Sequence, residues 1–276
     1  MSKSLRAGPV RLALAAAVVL LGAGGVAAGA ATASASPRAA APPPVDHQLC
    51  YTATSTAFKI PAGVQLFNQF SPNGFAPRIA PKAVLHCNPV VKILPTGQKF
   101  PITNPNAHLV CYTITAPTTQ PTPTVQVTNQ FGTGILIPSQ PNLLCVPSWK
   151  SLTGPPGKTP KTPPRLNHFT CYPVTLAPGT PPYSPPPVML KDEFAPAPVN
   201  AQVSGIPDEL CLPTKKVLAS GKIFKIINPA MHLLCFPVTP TPIISPVFDE
   251  NQFGTRKVAI SQTRWLCVPS TKKLVG

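Results

Sequence analysis

The residues with the clearest capacity for chemistry are four histidines, each of which lies three positions before a cysteine. Imidazole and thiolate are both zinc ligands, so two such His-x-x-Cys boxes could in principle hold one ion. The boxes have the composition of strands, however, and residues three apart in a strand point to opposite faces. We therefore expect structural histidines, hydrogen-bonded to the Asn-Pro connector between repeats or to a neighbouring strand, and no metal site, with zinc binding as the alternative. The four histidines are His47, His108, His168 and His232.

Acidic residues are the next candidates, but they are few and unevenly placed. No Asp or Glu occurs between His47 and Lys191, whereas the second half of the chain carries three adjacent acid pairs. A glycosidase needs two carboxylates that face one cleft, and no hydrolase or phosphate-binding motif is present. We predict no catalytic residue and no cofactor. The alternative is an extracellular hydrolase with an acidic site in the second half, at Asp208 and Glu209.

The eight cysteines belong to a unit that occurs four times. Each unit has a His-x-x-Cys box, an aromatic residue after that cysteine, Asn-Gln-Phe or Asp-Glu-Phe, a second cysteine followed by x-Pro, and a closing lysine. The third unit replaces Asn-Gln by Asp192-Glu193, a change that suits a turn, because Asn and Asp both bond their own backbone. The lysines are candidate binding or structural residues together with the histidines. They are Lys92, Lys150, Lys216 and Lys272.

An even number of cysteines at recurring spacings indicates a disulfide framework in an oxidising compartment. Four cysteines in each half of the chain allow three pairings, and we expect pairing within each repeat because it closes loops of similar length. Each such loop contributes about 3–4 kcal/mol on the chain-entropy estimate. The expected pairs are Cys50–Cys87, Cys111–Cys145, Cys171–Cys211 and Cys235–Cys267.

The N-terminus has the layout of a secretory signal peptide. Basic residues precede an apolar run, and small residues follow it, ending at Ala33-Ser34-Ala35. We expect cleavage after Ala35 and no transmembrane anchor, and therefore a secreted or cell-surface protein. The Ala-rich and Pro-rich style of this region is typical of a high-GC bacterium.

Spacing between repeats indicates a second level of organisation. Equivalent cysteines two repeats apart are separated by 121 to 124 residues, and single steps are looser. We therefore predict two β domains, each made of two unlike repeats, joined by a Pro-rich linker. The predicted segments are a signal peptide (1–35), a Pro/Ala spacer (36–45), domain A (46–152, repeats 46–93 and 104–152), a linker (153–166) and domain B (167–276, repeats 167–219 and 228–276).

Short alternating apolar segments and 41 prolines predict an all-β fold of small, Pro-rich, sandwich-like repeats stapled by disulfides. In repeat 2 we expect strands at 109–115, 125–129, 134–138 and 142–146. The proline two residues after each second cysteine cannot donate a ladder hydrogen bond, so we expect it to end the strand or to mark a sheet edge.

The charge balance indicates the kind of partner. The chain has 23 Lys and Arg against 7 Asp and Glu, a net charge of +16. Such a surface attracts anionic material. We predict a structural or binding protein that retains an anionic cell-wall or extracellular polymer, with no specific nucleic-acid site because no compact basic cluster occurs. The sequence does not indicate an oligomeric state.

Taken together, the His-x-x-Cys-Tyr, Asn-Gln-Phe and Leu-Cys-x-Pro-x-x-Lys boxes resemble a family of short repeat domains of unknown function in exported bacterial proteins. The resemblance covers nearly all of residues 46–276. It implies no activity and no catalytic residue. Repeat 4 departs from the pattern at Phe236, which replaces tyrosine, and repeat 3 departs through its acidic pair.

Overall fold

The eight cysteine-bearing strands form a closed antiparallel ring in the computed structural model, which describes residues 45–155 and 165–275. The ring closes because the first cysteine strand pairs with the last. In order around the ring the strands are β1 (Gln48–Ser55), β3 (Arg78–Pro89), β6 (His108–Thr115), β9 (Leu143–Ser151), β10 (His168–Leu176), β13 (Glu209–Val217), β15 (His232–Pro237) and β17 (Gly254–Leu274).

Shorter strands between the ring strands form one hairpin or loop per repeat. In repeat 2, β7 and β8 alternate apolar and polar residues, and the apolar Val125, Val127 and Leu136 are completely buried. The remaining strands are β2 (Gln65–Phe67), β4 (Val91–Ile93), β5 (Lys99–Phe100), β7 (Val125–Asn129), β8 (Gly132–Pro138), β11 (Val188–Lys191), β12 (Val199–Ala201), β14 (Ile223–Phe224) and β16 (Pro242–Asn251).

The all-β class with four disulfides is confirmed. Each disulfide joins two neighbouring ring strands within one repeat, in the pairing that the repeats predict. The strands do not form a series of separate small sandwiches, however, because all four repeats contribute two strands to the same ring. The described residues contain no helix of the length and apolarity needed to cross a membrane.

The two faces of the ring strands have different cores. The eight cysteines face the interior, where they contact Leu109, Phe169 and Trp265 among others. Residues of the opposite parity, such as Tyr112 and Leu144, form the larger core beneath the hairpins. Because side chains alternate between faces along a strand, this two-sided burial explains why most residues next to the cysteines are apolar, although β17 is largely polar toward both of its ends.

Each hairpin pairs with the strand end of the repeat that lies two places away. Strand β7 of repeat 2 pairs with the end of β17, and β16 of repeat 4 pairs with the end of β9. In the same way β2 pairs with the end of β13, and β11 pairs with β4. The two halves of the chain are thus interleaved within the unit Ala41–Gly276. Whether each half is a domain that folds alone stays a prediction.

The prolines after the second cysteines are expected to end a strand or to mark a sheet edge, and only Pro89 ends its strand, β3. Strand β9 continues to Ser151, and β13 and β17 also continue past the proline. On one side of β9, pairing with β10 reaches Cys145 and pairing with β16 begins at Trp149, so Pro147 faces a gap. The strand changes neighbours at the proline, where no ladder donor is needed.

Geometry explains why a proline suits this position. The Cα atoms of disulfide-bonded cysteines lie 3.8–4.0 Å apart, as in the closer, non-hydrogen-bonded pairs of an antiparallel ladder. Pro147 is two residues beyond Cys145 and has the same parity, so its nitrogen points away from β6 and into the gap. The predicted strands of repeat 2 otherwise agree with β6 to β9. The predicted signal peptide lies outside the described residues, as do the spacer except for its last residue and most of the linker.

Candidate functional site

The Asn-Gln-Phe triplets form the same turn in all four repeats, as predicted. In each, the side-chain oxygen of the first residue accepts a hydrogen bond from the backbone NH of the phenylalanine, at 2.7–3.0 Å. Asp192 makes this bond as well as the three asparagines do, which explains why the acidic residue is accepted there. The four residues that accept are Asn68, Asn129, Asp192 and Asn251.

The same Asn or Asp side chain also reaches the tyrosine of the repeat two places away. Asn251 donates to the Tyr112 hydroxyl at 3.0 Å, whereas the Tyr51 hydroxyl donates to Asp192 at 2.6 Å. Repeat 4 has Phe236 in place of the tyrosine, and there Asn129 donates to Ser270 at 3.3 Å. Each triplet therefore connects diagonally opposite repeats, in parallel with the strand pairs.

The closing lysines meet the triplet of the following repeat. Each ammonium group lies over the triplet phenylalanine, at 4.5–5.1 Å from the ring centroid. The four pairs are Lys92–Phe131, Lys150–Phe194, Lys216–Phe253 and Lys272–Phe70. The chain thus has four equivalent junctions, each between a lysine and the triplet of the next repeat around the ring.

The box histidines take part in these junctions but do not act alike. His168 bonds Gln252 at 3.0 Å and His47 bonds Gln130 at 2.8 Å, in both cases through Nε2. Burial, reinforced by the charge of the adjacent lysine, lowers the pKa of His47 and of His168 to about 3, so both are neutral. His232 contacts the carbonyl of Ala230 through Nδ1.

The Asn-Pro connectors, Asn104-Pro105 between repeats 1 and 2 and Asn228-Pro229 between repeats 3 and 4, are held by the residue that precedes the histidine in repeats 1 and 3. Asp46 accepts bonds from the backbone NH groups of Thr103 and Asn104 at 2.8 and 2.7 Å. Asn167 accepts the equivalent bond from Ile227 at 2.7 Å. The structural role expected of the histidine toward the connector is therefore performed here by its neighbour.

Two of the four lysines are buried without a hydrogen-bonding partner. Lys92 and Lys216 have no exposed surface, and each Nζ lies between two phenylalanine rings without an acceptor. Burial lowers the pKa of Lys92 to about 7 and that of Lys216 to about 6. Near neutral pH these side chains lose protons on folding that the unfolded chain keeps, and this cost weakens the fold.

Replacing Lys216 by methionine is expected to raise the free energy of unfolding by about 1–4 kcal/mol near pH 7, because an apolar side chain of similar length replaces an unpaired buried amine. Between pH 6 and pH 10 the unfolded chain binds a proton at Lys216 that the folded chain does not, so the wild type gains stability as pH rises. The advantage of Lys216→Met should therefore shrink toward pH 10. Urea unfolding at several pH values measures it.

Lys272→Met provides the matched control. Lys272 is partly exposed and donates to Gln69, and burial lowers its pKa only to about 8. We expect little or no gain in stability from this change. A destabilised Lys216→Met protein near pH 7, or an advantage that grows toward pH 10, would contradict the interpretation of Lys216.

The junction between repeats 2 and 3 differs from the other three. His86 and Asn88 flank Cys87 on β3, and Asp249 lies on β16, and all three are completely buried. The equivalent positions in the other repeats are apolar. They are Leu144, Leu210 and Leu266 for His86, Val146, Leu212 and Val268 for Asn88, and Leu66, Val127 and Leu190 for Asp249.

These three residues form a continuous buried network with the junction. His86 Nδ1 lies 2.9 Å from Asp249 Oδ2, and His86 Nε2 lies 2.7 Å from Asn88 Oδ1. Asn88 Nδ2 donates to Asp192 at 3.0 Å, and Lys150 donates to Asn88 Oδ1 at 2.9 Å. Lys150 also forms an ion pair with Glu193.

The network changes the electrostatics of the junction. Burial lowers the pKa of Lys150 to about 7, although the carboxylates of Asp192 and Asp249 oppose this shift. Burial and the charge of Lys150 lower the pKa of His108, which contacts Asn88 at 3.1 Å, to about 2. Unlike Lys92 and Lys216, the Lys150 amine has both an acceptor and a carboxylate partner. His86, Asn88 and Asp249 belong to no motif that the repeats share, but an alignment of the four repeats shows each of them where the other repeats have an apolar residue.

The described residues do not assemble a metal centre. All eight cysteines are in disulfides, so none is available as a thiolate ligand. Within residues 45–155 and 165–275 no group of three or more His, Cys, Asp or Glu side chains is placed to hold an ion.

The acid pair Asp208-Glu209 is divided between two environments. Asp208 is exposed and accepts a bond from the indole NH of Trp265 at 2.8 Å. Glu209 is buried and accepts a bond from Asn142 at 2.7 Å, and burial raises its pKa to about 7. A two-carboxylate hydrolase needs both acids on one cleft. The two side chains do not share one here.

Comparison with known proteins adds a family. The family model described as a repeat of unknown function, DUF7450, matches residues 108–269. This match spans repeats 2 to 4, which contain three of the four disulfides. No curated protein and no solved structure matches the chain significantly.

Proposed function

Because the chain belongs to the DUF7450 family of repeats of unknown function, we propose its role from its surface: a disulfide-stabilised extracellular binding module that retains an anionic polymer. Four buried disulfides are typical of proteins outside the reducing cytosol. In this proposal the protein binds its partner and catalyses no reaction, and it is exported through the N-terminal signal peptide.

The observation that carries the proposal is the unequal burial of the two kinds of charge. Four of the seven carboxylate residues are buried, and only Glu193 and Asp208 are exposed in the described part of the chain. Exposed basic residues are far more numerous, so solvent meets an almost purely cationic surface. They are Lys59, Arg78, Lys82, Lys99, Arg165, Lys191, Lys222, Lys225, Lys257, Arg264 and Lys273.

Backbone contacts bring several of these residues together. The NH of Lys59 donates to the carbonyl of Phe253, in the turn before β17, the strand that carries Arg256 and Lys257. The NH of Phe58 donates to the carbonyl of Pro81, next to Lys82. We call Lys59, Lys82, Arg256 and Lys257 the Lys59 surface. Residues that are distant in the sequence thus form one basic region, although no short segment of the sequence is rich in basic residues.

Retention on a carboxylated polysaccharide matrix should be strong at about 0.05 M salt and should be lost by about 0.5 M, because salt screens charges at the surface. The triple variant Lys59→Gln/Lys82→Gln/Lys257→Gln should elute at lower salt than wild type. The measurement is the salt concentration at the elution midpoint.

The matched control neutralises three exposed lysines outside the Lys59 surface, in Lys99→Gln/Lys225→Gln/Lys273→Gln. Its net charge equals that of the first triple variant, so a smaller shift would assign retention to the Lys59 surface. Equal shifts would mean that only net charge matters. Retention that does not depend on salt would refute the proposed function.

A further inference from the structure

One open cleft breaks the fourfold pattern of the ring. It lies where β17 passes β1 and β15, has a volume of about 300 Å³, and is lined by Asp208, Gln262, Arg264 and Trp265. This volume lies at the lower end of the range of about 300–1,000 Å³ that is usual for small-molecule sites. The cleft thus has the size of a site for one sugar ring.

The residues that build the cleft are specific to this place in the ring. The positions equivalent to Trp265 are Leu85, Leu143 and Glu209, and those equivalent to Arg264 are Val84, Asn142 and Asp208. No other described repeat therefore offers an indole beside a guanidinium at this position. A structural repeat does not require this pair, which indicates a local role.

The guanidinium is held in place by the indole, and its charge acts on the neighbouring Glu209 carboxyl. Arg264 Cζ lies 4.3 Å from the centroid of the Trp265 indole ring, in the arrangement of a cation–π contact. In the part of the chain that the structure describes, Arg264 has no ion-pair partner. A guanidinium presents its NH groups as a planar fork that matches a carboxylate, so a stacked and unpaired Arg264 is ready to bind an anion.

Asp208 restricts which anion the cleft accepts. The bond from the Trp265 indole NH to Asp208 Oδ2, at 2.8 Å, fixes this carboxylate in the cleft. The negative charge of Asp208 repels a doubly charged phosphate monoester more strongly than a singly charged carboxylate. Its oxygens accept hydrogen bonds from hydroxyl groups. Pro237 and Pro240 add apolar walls against which the C–H face of a ring can lie.

We propose that the cleft of Arg264, Asp208 and Trp265 binds a uronic acid unit of an acidic polysaccharide. Arg264 holds the sugar carboxylate, Asp208 accepts from a ring hydroxyl, and the prolines contact the apolar face. The inference rests on the proposed function for the natural source of the ligand, an anionic polymer, but its site is separate from the Lys59 surface.

The test is calorimetric titration of the full chain with digalacturonic acid, its methyl ester and galactose 6-phosphate. Digalacturonic acid should bind measurably. The methyl ester and galactose 6-phosphate should bind at least about tenfold more weakly, since neither presents a singly charged carboxylate to the guanidinium of Arg264. Arg264→Gln should weaken digalacturonic acid binding by about tenfold or more, and Arg264→Lys should restore little of it. Asp208→Asn should reduce the ratio by which the protein prefers digalacturonic acid to galactose 6-phosphate.

Each outcome decides the proposal. Unchanged binding in Arg264→Gln, equal binding of the methyl ester, or tighter binding of the phosphate would overturn it. Since Arg264 is exposed, an unchanged unfolding midpoint is expected and checks that the variant is folded. Retention of Arg264→Gln on the polymer matrix should persist. If retention on the polymer matrix did not depend on salt, the proposed function would be refuted. The specificity of the cleft would still be decided by the titration.

Discussion

Replacing Asp249 by valine should lower the free energy of unfolding by about 3–5 kcal/mol, because it leaves one partner of a buried polar pair behind. The Asp249 carboxylate and the His86 imidazole are both fully buried and lie 2.9 Å apart. Valine fits the site, since Val127 occupies the equivalent position of repeat 2. Urea unfolding with the disulfides intact measures the loss.

The double variant His86→Leu/Asp249→Val is the control that identifies the cause. Its residues are those that other repeats carry at these positions, so it removes both members of the pair, while Asn88 Oδ1 keeps its bond from Lys150. We expect it to recover most of the stability that Asp249→Val loses, as buried pairs replaced together often do. If the double variant is as unstable as the single one, the loss comes from packing and not from the unpaired imidazole.

Separate expression of residues 46–152 and 167–276 should give two chains without a cooperative unfolding transition. Hairpin strand β7 and the end of β9 lie in the first half, yet their partners in β17 and β16 lie in the second. The same applies to β2 with β13 and to β11 with β4. Each half alone would expose unpaired strands and the apolar face beneath its hairpins. Circular dichroism and thermal melting of each half measure the result.

Mixing the oxidised halves is the decisive companion experiment. If interleaving stabilises the fold, the mixture should form a one-to-one complex with a melting transition that neither half shows. If each half instead melts cooperatively on its own, the division into two domains read from the 121 to 124 residue spacing is correct as a folding unit. The strand exchange would then be an interface between domains.

Much of the fold can be predicted because local and repeated signals agree. The alternation in Val125–Asn129 predicts strand β7 with its observed bounds, and the fourfold unit predicts the four disulfides. The ring cannot be predicted in the same way. Its closure depends on the pairing of β1 with β17, which are separated by most of the chain, and no local pattern encodes such a contact.

The candidate site could be predicted only in its repeated part. The recurring lysines and triplets indicate which residues form the four junctions. They do not indicate which lysine meets which triplet, since each lysine contacts the triplet of another repeat. His86 and Asp249 are more than 160 positions apart, so their pairing is invisible to sequence patterns. Of the two outcomes predicted for the proline, a sheet edge fits better than a strand end, because β9 continues past Pro147 but has no neighbouring strand on one side there.

The intra-repeat disulfides have a consequence for how the bonds are made. The sulfurs of Cys50 and Cys267 lie 3.7 Å apart, and those of Cys145 and Cys171 lie 3.9 Å apart, although neither pair is bonded. In the finished interior, proximity alone would not distinguish right partners from wrong ones. The chain emerges N-terminus first, and each second cysteine follows its partner by only 32 to 40 residues. For a chain that enters an oxidising compartment N-terminus first, the correct thiol is the first to arrive, so the order of arrival would select the native pairing.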